Sequence, residues 1–396
     1  MTRKASEEFP ECRERRQIYE SALSDSRFRR YYVASWFSSM GSWLLRFLLG
    51  WSAWELTQSA TWVGIVGALM LAPALVLSPW FGILSDRVDP KNGLCTSMII
   101  HGGIALFGFL SMQLQLYDEK VLIILAITLG MATSLHSPMR LALVPLLVER
   151  EALPSAVGYS AMSFNVARIV APALGAVLVA GSDDAIAWLA SMFMFVISFW
   201  GLTRLTKIKR RLTYSTSTYG SQLINGLRHV STRNDLKLLL ALTALNGLMG
   251  RTVIELLPAL SGQILDGGST ELAILIVMGG VGSVVGGLVL SRQSADLSRI
   301  FFLVSSAIGL SCLVLISFEW FTDLNGLSIW VFCLGLVTTV AGTGCQTFLQ
   351  LRANEAFRGR IMSLWTMVAM GAPSAGAAML GVGADAVGFQ QIFIAS

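Results

Sequence analysis

The sequence predicts an all-α polytopic membrane protein, and two observations lead to this fold class. The chain has 396 residues, of which 54% are hydrophobic and 13% are charged, and its mean hydropathy is +0.65. Soluble domains carry about 25% charged residues, so this composition excludes a soluble globular protein as well as a disordered one. The apolar residues also form runs of about 20, the length that an α-helix needs to cross ~30 Å of hydrocarbon.

Charged, Gly-rich or Pro-rich breaks divide the apolar runs into eleven predicted spans. They cover residues 32–56, 62–85, 93–116, 121–147, 156–180, 185–205, 236–260, 272–290, 300–318, 327–349 and 361–381. Residues 389–396 look like the first turns of a twelfth span, but eight residues rise only about 12 Å. We therefore expect eleven complete spans and a chain that ends within helix 12.

The distribution of basic residues predicts the orientation of the spans. Of the 29 Lys and Arg residues, 24 lie on the side of the N-terminus, Lys120 alone lies on the opposite side, and four lie within spans. Because Lys and Arg accumulate in cytoplasmic loops, this asymmetry predicts a cytoplasmic N-terminus. Residues 1–30 mix Glu and Arg without an apolar core, which indicates a cytoplasmic tail rather than a signal peptide. The net charge of +5 then needs no nucleic-acid partner.

No cofactor, metal site or enzyme active site is predicted. The five cysteines lie in the tail or in spans, without the spacing of a disulfide framework or a zinc site. The sequence has no G-x-x-x-x-G-K-[ST] loop, so ATP is not expected to drive the protein directly. No nucleophile constellation or cluster of His, Asp and Glu falls at a membrane edge, which argues against a membrane enzyme.

Short sequence matches recur at about half the chain length. Four of them stay in register, which predicts two pseudo-symmetric halves, residues 31–205 and 236–396, joined by a cytoplasmic linker over 206–235. The matches are 82–87 with 287–292 and Arg46 with Arg251 at an offset of 205, 151–153 with 355–357 at 204, and 171–176 with 372–377 at 201.

Residues 82–91, GILSDRVDPK, resemble the signature loop G-x-L-x-D-R-x-G-R-K between helices 2 and 3 of the major facilitator superfamily, although Asp89 and Pro90 depart from its Gly-Arg. Other segments resemble one branch of that superfamily, which contains enterobactin exporters and transmembrane secretion effectors. They are 41–46, 56–60, 137–145, 163–168 and 251–259. The resemblance runs from about Tyr31 to Phe389. It implies a transporter whose substrate lies between two six-helix halves.

The resemblance also implies a gate at the cytoplasmic ends of the helices. In the family this loop packs against the start of helix 11, where the helix dipole favours a carboxylate such as Asp86. The loop would then latch the halves in an outward-open conformation; an ordinary charged loop is the alternative. The loop residues assigned to this latch are Gly82, Asp86, Arg87 and Lys91.

Helices 4 and 5 contribute two further gating candidates. Helix 5 fits a degenerate form of the glycine and proline pattern of antiporters, and its Pro172 would bend the helix where the halves rock. Simple helix packing is the alternative interpretation. Arg140, near the cytoplasmic end of helix 4, is predicted to be structural or part of the gate.

Charges inside the spans are the strongest indication of a functional site, because each is costly in hydrocarbon. Arg46 and Arg251 fall near the midplane of helices 1 and 7, which line the central cavity in the superfamily. Such a cavity would attract an anionic or strongly polar small molecule, and guanidinium groups also stack on aromatic rings. Alternatively, some of these arginines hold helix ends or bind backbone carbonyls. The predicted substrate-cavity residues are Ser42, Arg46, Asn165, Arg168, Arg251 and Gln346.

Glu255 is the one acid within the predicted spans that lies away from an end, and it follows Arg251 by one helical turn. It is therefore the candidate carboxylate for coupling transport to a proton gradient. A static Arg251–Glu255 pair that only neutralises two charges is the alternative. His136 on helix 4 has two interpretations as well, a group that titrates in the cavity or a polar side chain hydrogen-bonded between helices.

Together these features predict a bacterial inner-membrane transporter that works by alternating access in the lipid bilayer and is driven by an ion gradient, first of all protons. The resemblance implies export, by antiport, of a siderophore, an antibiotic or another amphipathic metabolite. An importer or a lysophospholipid flippase on the same fold is the alternative within transport. A non-transporting scaffold or receptor is the alternative outside it.

Overall fold

The computed structural model describes residues 22–149, 152–181, 184–205, 228, 230–291, 297–352 and 355–395, and these residues form helices and no β-strand. The predicted all-α class is confirmed. Ten helices within the described ranges are long and apolar enough to cross a membrane. The first six helices are α1 Ser26–Thr57, α2 Ala60–Arg87, α3 Pro90–Gln113, α4 Glu119–Leu143, α5 Leu153–Gly181 and α6 Asp184–Thr203.

The second set of helices follows the linker, of which residues 206–227 and 229 lie outside the described ranges, as do residues 1–21 of the predicted tail. Its first member, α7, is segmented: α-helix Asn234–Asn246, π-helix Gly247–Arg251, α-helix Thr252–Glu255 and α-helix Leu257–Leu265. The others are α8 Ser269–Ser291, α9 Leu297–Ile316, α10 Leu324–Arg352, α11 Glu355–Val387 and α12 Phe389–Ala395.

Side-chain caps determine where the helices of the first half begin. Asp25 accepts a hydrogen bond from the backbone N–H of Arg27, and Ser59, Asp89 and Asp118 bind the first-turn N–H groups of α2, α3 and α4 in the same way. Each cap satisfies a donor that would otherwise be unpaired at a helix start. Because Asp25 supplies such a cap, α1 begins six residues before the predicted span at residue 32.

Within each half, successive helices are joined by short connections and therefore alternate in direction. The end of the bundle that holds Ser26 and the connections after α2, α4, α6, α8 and α10 is called the basic end below. The opposite end, which holds Asp118, Asp266, Asp323 and Asp385, is called the acidic end.

The helices pack into two bundles, which contact each other along two interfaces. In the first bundle α1 packs on α5 and α6, and α3 packs on α4 and α6. In the second, α10 packs on α8 and α9. The most extensive contacts between the bundles are α2 against α11 and α5 against α8. The space enclosed by these four helices with α1, α7 and α10 is where the functional site lies.

Glycines let α8 and α10 approach each other closely, as the glycine run 279–287 suggests. A Cβ atom on Gly282 would collide with the carbonyl oxygen of Phe332, and one on Gly286 would lie 2.5 Å from that of Leu336. Gly287, on the same helix, has nothing within 4 Å of its Cβ position. The two backbones therefore leave no room for a side chain at residue 282, whereas residue 287 is free to carry one.

We expect Gly282→Ala to lower the free energy of unfolding by about 1–3 kcal/mol, because the new methyl group must push two backbones apart. Gly287→Ala is the matched control and is expected to be neutral or to stabilise by up to about 1 kcal/mol, as alanine is the better helix former. Unfolding of both variants in mixed micelles gives the comparison. Equal losses in both variants would contradict close packing at Gly282.

Candidate functional site

A cavity of about 280 Å³ lies between the two bundles, near the middle of the spanning helices. Side chains from α1, α2, α5, α7, α8, α10 and α11 line it, so both bundles contribute. Seven residues singled out from the sequence lie in this lining: Arg46, Asn165, Arg168, Pro172, Arg251, Glu255 and Gln346. The structure thus brings together residues that are up to 300 positions apart in the chain.

Ser42 is the one predicted cavity residue that the lining does not include. It is half-buried on α1, and the cavity-facing side of that turn is taken by Trp43. Ser38, one helical turn before Ser42, is buried and donates its hydroxyl to the backbone carbonyl of Ser35 at 3.0 Å. A serine can satisfy its hydroxyl within its own helix in this way, so helical spacing alone did not identify the cavity-facing side.

Arg46 and Glu255 form an ion pair across the cavity, from α1 of one bundle to α7 of the other. The Nη2 atom of Arg46 lies 3.1 Å from Oε1 and 3.2 Å from Oε2 of Glu255. The side chains are 20% and 15% exposed, so water screens the pair only partly. The alternative interpretation paired Glu255 with Arg251 alone; the structure gives Glu255 an ion pair with Arg46, because α1 and α7 face each other at this depth.

The π-helix of α7 stands beside this ion pair. Thr252 stabilises it twice: its N–H and its hydroxyl both donate to the carbonyl oxygen of Gly247, the latter at 2.8 Å. The small residues Gly247 and Gly250 allow this wider turn to fit, since their Cβ positions would meet Pro373 and Thr338. Short π-helical segments occur mostly at functional sites. The segment ends at Arg251, which also lines the cavity.

The cavity carries excess positive charge. Among the described lining residues the cations are Arg46, Arg168 and Arg251, and the only acid is Glu255. Glu255 forms its ion pair with Arg46 and also interacts electrostatically with Arg251, so three guanidinium groups share one carboxylate in that lining. An anionic group placed between them would gain charge-assisted hydrogen bonds in a partly dehydrated site.

Three residues of the cavity lining that were not predicted carry polar groups without a hydrogen-bond partner. The Nε1 atoms of Trp43 and Trp365 and the Oδ1 atom of Asn246 are buried and have no hydrogen-bond partner among the described residues. The Nδ2 atom of Asn246 donates to the carbonyl of Thr338 at 3.2 Å, which orients the amide. Trp43 also stacks near Arg46, with 5.4 Å between its ring centroid and Cζ. The neighbouring Arg46 was the one signal that could have directed attention to Trp43.

The acidic end of the cavity is sealed by contacts between α2 and α11. The carboxylate of Asp385 accepts hydrogen bonds from the Ser59 hydroxyl at 2.5 Å and from the N–H groups of Ala60 and Thr61 at 2.9 and 2.8 Å. Gln263 of α7 donates to the same carboxylate at 3.2 Å. A carboxylate at a helix N-terminus is favoured by the unpaired N–H groups and the helix dipole.

Small residues tighten this seal. Cβ atoms on Gly64 and Gly381 would collide with the facing carbonyls of Ala377 and Ala60, and one on Gly262 would collide with the ring of Trp54. The backbones of α2 and α11 are therefore in direct contact. Sequence analysis missed Asp385, because the predicted span ended at residue 381 while α11 continues to Val387.

The predicted gating residues at the basic end are only partly described. Gly82, Asp86 and Arg87 lie in α2, but their side chains are outside the described part of the structure, so the latch stays a prediction. Lys91 is described: its Nζ donates to the carbonyls of Thr203 and Leu205, at 3.0 and 2.5 Å, within its own bundle.

Two other predicted residues contact aromatic or polar neighbours. Arg140 lies over the ring of Phe164, with 5.5 Å between Cζ and the ring centroid. His136 lies outside the cavity lining, and its Nδ1 is 3.4 Å from the hydroxyl of Ser97, which also lies 3.3 Å from Nδ1 of His101. This arrangement matches the interpretation of His136 as a polar link between α3 and α4.

Three kinds of comparison with known proteins, with a family profile, with related sequences and with solved structures, each find similarities. A family profile described as transmembrane secretion effector matches residues 20–396. The staphyloferrin A transporter of Staphylococcus aureus is 23% identical over 370 residues, which cover 92% of this chain and 91% of that protein. The macrolide efflux protein A of Streptococcus pyogenes is 25% identical over 348 residues, or 86% and 85%. Among solved structures, the chain is similar to a bacterial homologue of the human lysosomal transporter Spinster in an inward-facing and unoccupied conformation. The two align with a TM-score of 0.71 at 12% identity, over 91% of this chain and 83% of that chain.

Proposed function

This chain belongs to the transmembrane secretion effector family, and from that membership we propose that it exports an anionic, amphipathic small molecule in exchange for protons. The resemblance to this branch of the major facilitator superfamily is confirmed, as is the fold class. Two of its relatives are a transporter of the siderophore staphyloferrin A and a macrolide efflux protein. They support a metabolite of that kind as substrate and export as the direction.

The observation that carries this proposal is the ion pair of Arg46 with Glu255, made across a cavity that retains two further arginines. An anionic substrate would lie between Arg168 and Arg251, where the unpaired groups of Trp43, Trp365 and Asn246 offer it hydrogen bonds and aromatic contact. The negative charge of the substrate would take the place of a carboxylate beside these two arginines.

Glu255 would couple this binding to protons. When Glu255 is ionised, its attraction to Arg46 holds α1 and α7 together; when it is protonated, that attraction is lost and the halves are free to move apart. A proton that enters from one side and leaves to the other would then bias the exchange between two conformations. An Arg46 released from Glu255 would add a third cation for the substrate.

The orientation follows from the charges. We place the basic end in the cytoplasm, in the inner membrane of a bacterium, because the Lys and Arg residues of the connections lie there. The seal around Asp385 then closes the cavity toward the outside, so this conformation loads substrate from the cytoplasm. The predicted Asp86 latch would close the opposite side in the other conformation.

Transport into everted membrane vesicles tests the proposal. We expect energised vesicles that contain the protein to accumulate a carboxylate siderophore, a catecholate siderophore or a fluorescent amphipathic anion above the level of empty vesicles. A protonophore should abolish the accumulation. Uptake confined to right-side-out vesicles would indicate an importer. Movement of lysophospholipid but of no soluble anion would indicate a flippase, and transport unchanged by the protonophore would contradict proton coupling.

A further inference from the structure

A groove outside the transport cavity lies between α1 and α6 at the basic end. It has a volume of about 660 Å³, and its lining includes three arginines, Arg29, Arg30 and Arg204. The remaining lining is apolar and includes Val33, Ile197 and Trp200. None of these residues belongs to the cavity between the halves, so the groove needs an explanation of its own.

The apolar part of the groove faces the bilayer. Val33 is 51% exposed on α1, and Ile197 and Trp200 are 43% and 56% exposed on α6, which is long and apolar enough to cross a membrane. Behind them α1 and α6 are in close contact, since a Cβ atom on Gly201 would lie 3.0 Å from that of Ala34. The groove is therefore a concave strip whose base is formed by the contact of α1 with α6. It is open toward the acyl chains of the leaflet at the basic end.

Arg204 is held in place at the polar end of this strip. Its Cζ lies 3.5 Å from the centroid of the Trp200 ring, a close cation–π contact. The backbone on either side is fixed as well, because Lys91 donates to the carbonyls of Thr203 and Leu205. A guanidinium that is positioned in advance loses little conformational freedom when it binds a ligand.

In the part of the chain that the structure describes, the three arginines are not neutralised by a neighbouring acid. Asp25 is the nearby carboxylate in sequence, and it is engaged by Arg27, whose Nη2 lies 2.9 Å from Oδ2 of Asp25. The hydrogen bonds from Arg27 hold the pKa of Asp25 below its usual range, so Asp25 stays ionised and paired. Within the described residues no carboxylate forms an ion pair with Arg29, Arg30 or Arg204.

We propose that this groove binds an anionic phospholipid, with its phosphate on Arg29, Arg30 and Arg204 and an acyl chain along Val33, Ile197 and Trp200. Arginine forks suit phosphate oxygens, and basic pockets between helices at a membrane surface select anionic headgroups. A free phosphate ion would use the arginines and leave the apolar floor uncovered. The inference rests on the membrane location of the chain and is independent of its substrate and of its coupling ion.

Native mass spectrometry of the full chain in detergent tests the site with an equimolar mixture of short-chain phosphatidylglycerol and phosphatidylethanolamine. We expect the unmodified protein to retain phosphatidylglycerol in preference. Arg204→Gln should lower that retention about fivefold, the effect of one basic residue near a lipid surface. Lys237→Gln is the matched control, because it removes one exposed charge from the basic end outside the groove and should leave retention unchanged.

Two further measurements distinguish the lipid from other anions. Brominated phosphatidylglycerol should quench more tryptophan fluorescence in the unmodified protein than in Trp200→Phe. This measurement does not depend on the folding of an arginine variant. Inorganic phosphate should fail to displace the lipid. Equal losses of retention in Arg204→Gln and Lys237→Gln, displacement by inorganic phosphate, or quenching that ignores Trp200 would each overturn the proposal.

Discussion

Glu255→Gln is expected to abolish uphill export while downhill movement of the substrate continues. The amide keeps the size of the side chain and can still accept a hydrogen bond from Arg46, but it cannot carry a proton or a charge. With coupling lost, the proton-driven part of the accumulation should disappear, and the ratio should fall to the value that the membrane potential alone sets for an anion. Downhill flux should stay within about threefold of wild type, because the exchange between conformations no longer waits for a proton.

Arg46→Ala is expected to stop both uphill and downhill transport and to weaken the fold. It leaves the Glu255 carboxylate without its partner in the membrane interior, at a cost of about 1.5–3 kcal/mol for a charged hydrogen bond. Accumulation in everted vesicles, counterflow and thermal unfolding in detergent separate these effects.

Glu319→Gln, which changes an exposed acid at the acidic end, is the control for Glu255→Gln. If Glu255→Gln still drives uphill transport, the carboxylate holds the helices together without coupling them to protons.

Gly64→Ala is expected to block the conformation seen in this structure. The added methyl group would meet the carbonyl of Ala377 and approach the Cα of Gly381 at 3.3 Å, so α2 and α11 would have to separate at the acidic end. Overpacking of this kind costs about 1–3 kcal/mol. It would lower the population of the sealed conformation by about 5- to 150-fold, and transport should fall with it.

Electron spin resonance distances check this expectation directly. Spin labels at Leu116 and Trp320, both exposed at the acidic end and in opposite halves, should move apart in Gly64→Ala when the native cysteines are replaced. Gly103→Ala is the matched control: no atom lies within 4 Å of its Cβ position, so neither distances nor transport should change. Unaltered distances in both variants would show that the seal does not depend on the contact at Gly64.

Hydropathy located the apolar part of each helix, but not its ends. The fourth predicted span, 121–147, and α4, Glu119–Leu143, differ by a few residues at each end. The difference is larger for the eleventh, predicted over 361–381, because α11 runs from Glu355 to Val387. Ends that leave the hydrocarbon need caps and partners, not apolar residues, so a hydropathy window does not report them. Asp385 was missed for this reason.

The cost of a charge in hydrocarbon directed attention to Arg46, Arg168, Arg251 and Glu255, and all four line the cavity in the structure. Their pairing could not be deduced in the same way. Helical spacing says that Arg251 and Glu255 share a side of α7, but the partner of Glu255 is 209 residues away on a helix of the other half. Only the packing of the two halves against each other brings the side chains of Arg46 and Glu255 together.

The π-helix of α7 has a mechanical consequence. Its five residues take up roughly one residue more than an α-helical turn would, and each residue of an α-helix accounts for about 100° of rotation. If the segment Gly247–Arg251 returned to α-helical geometry, one flank of α7 would rotate by about 100° against the other and shift by about 1.5 Å along the helix axis, the rotation and rise of one α-helical residue. The joint for such a rotation therefore lies at the depth of Arg251 and Glu255, the two charges that α7 contributes to the cavity.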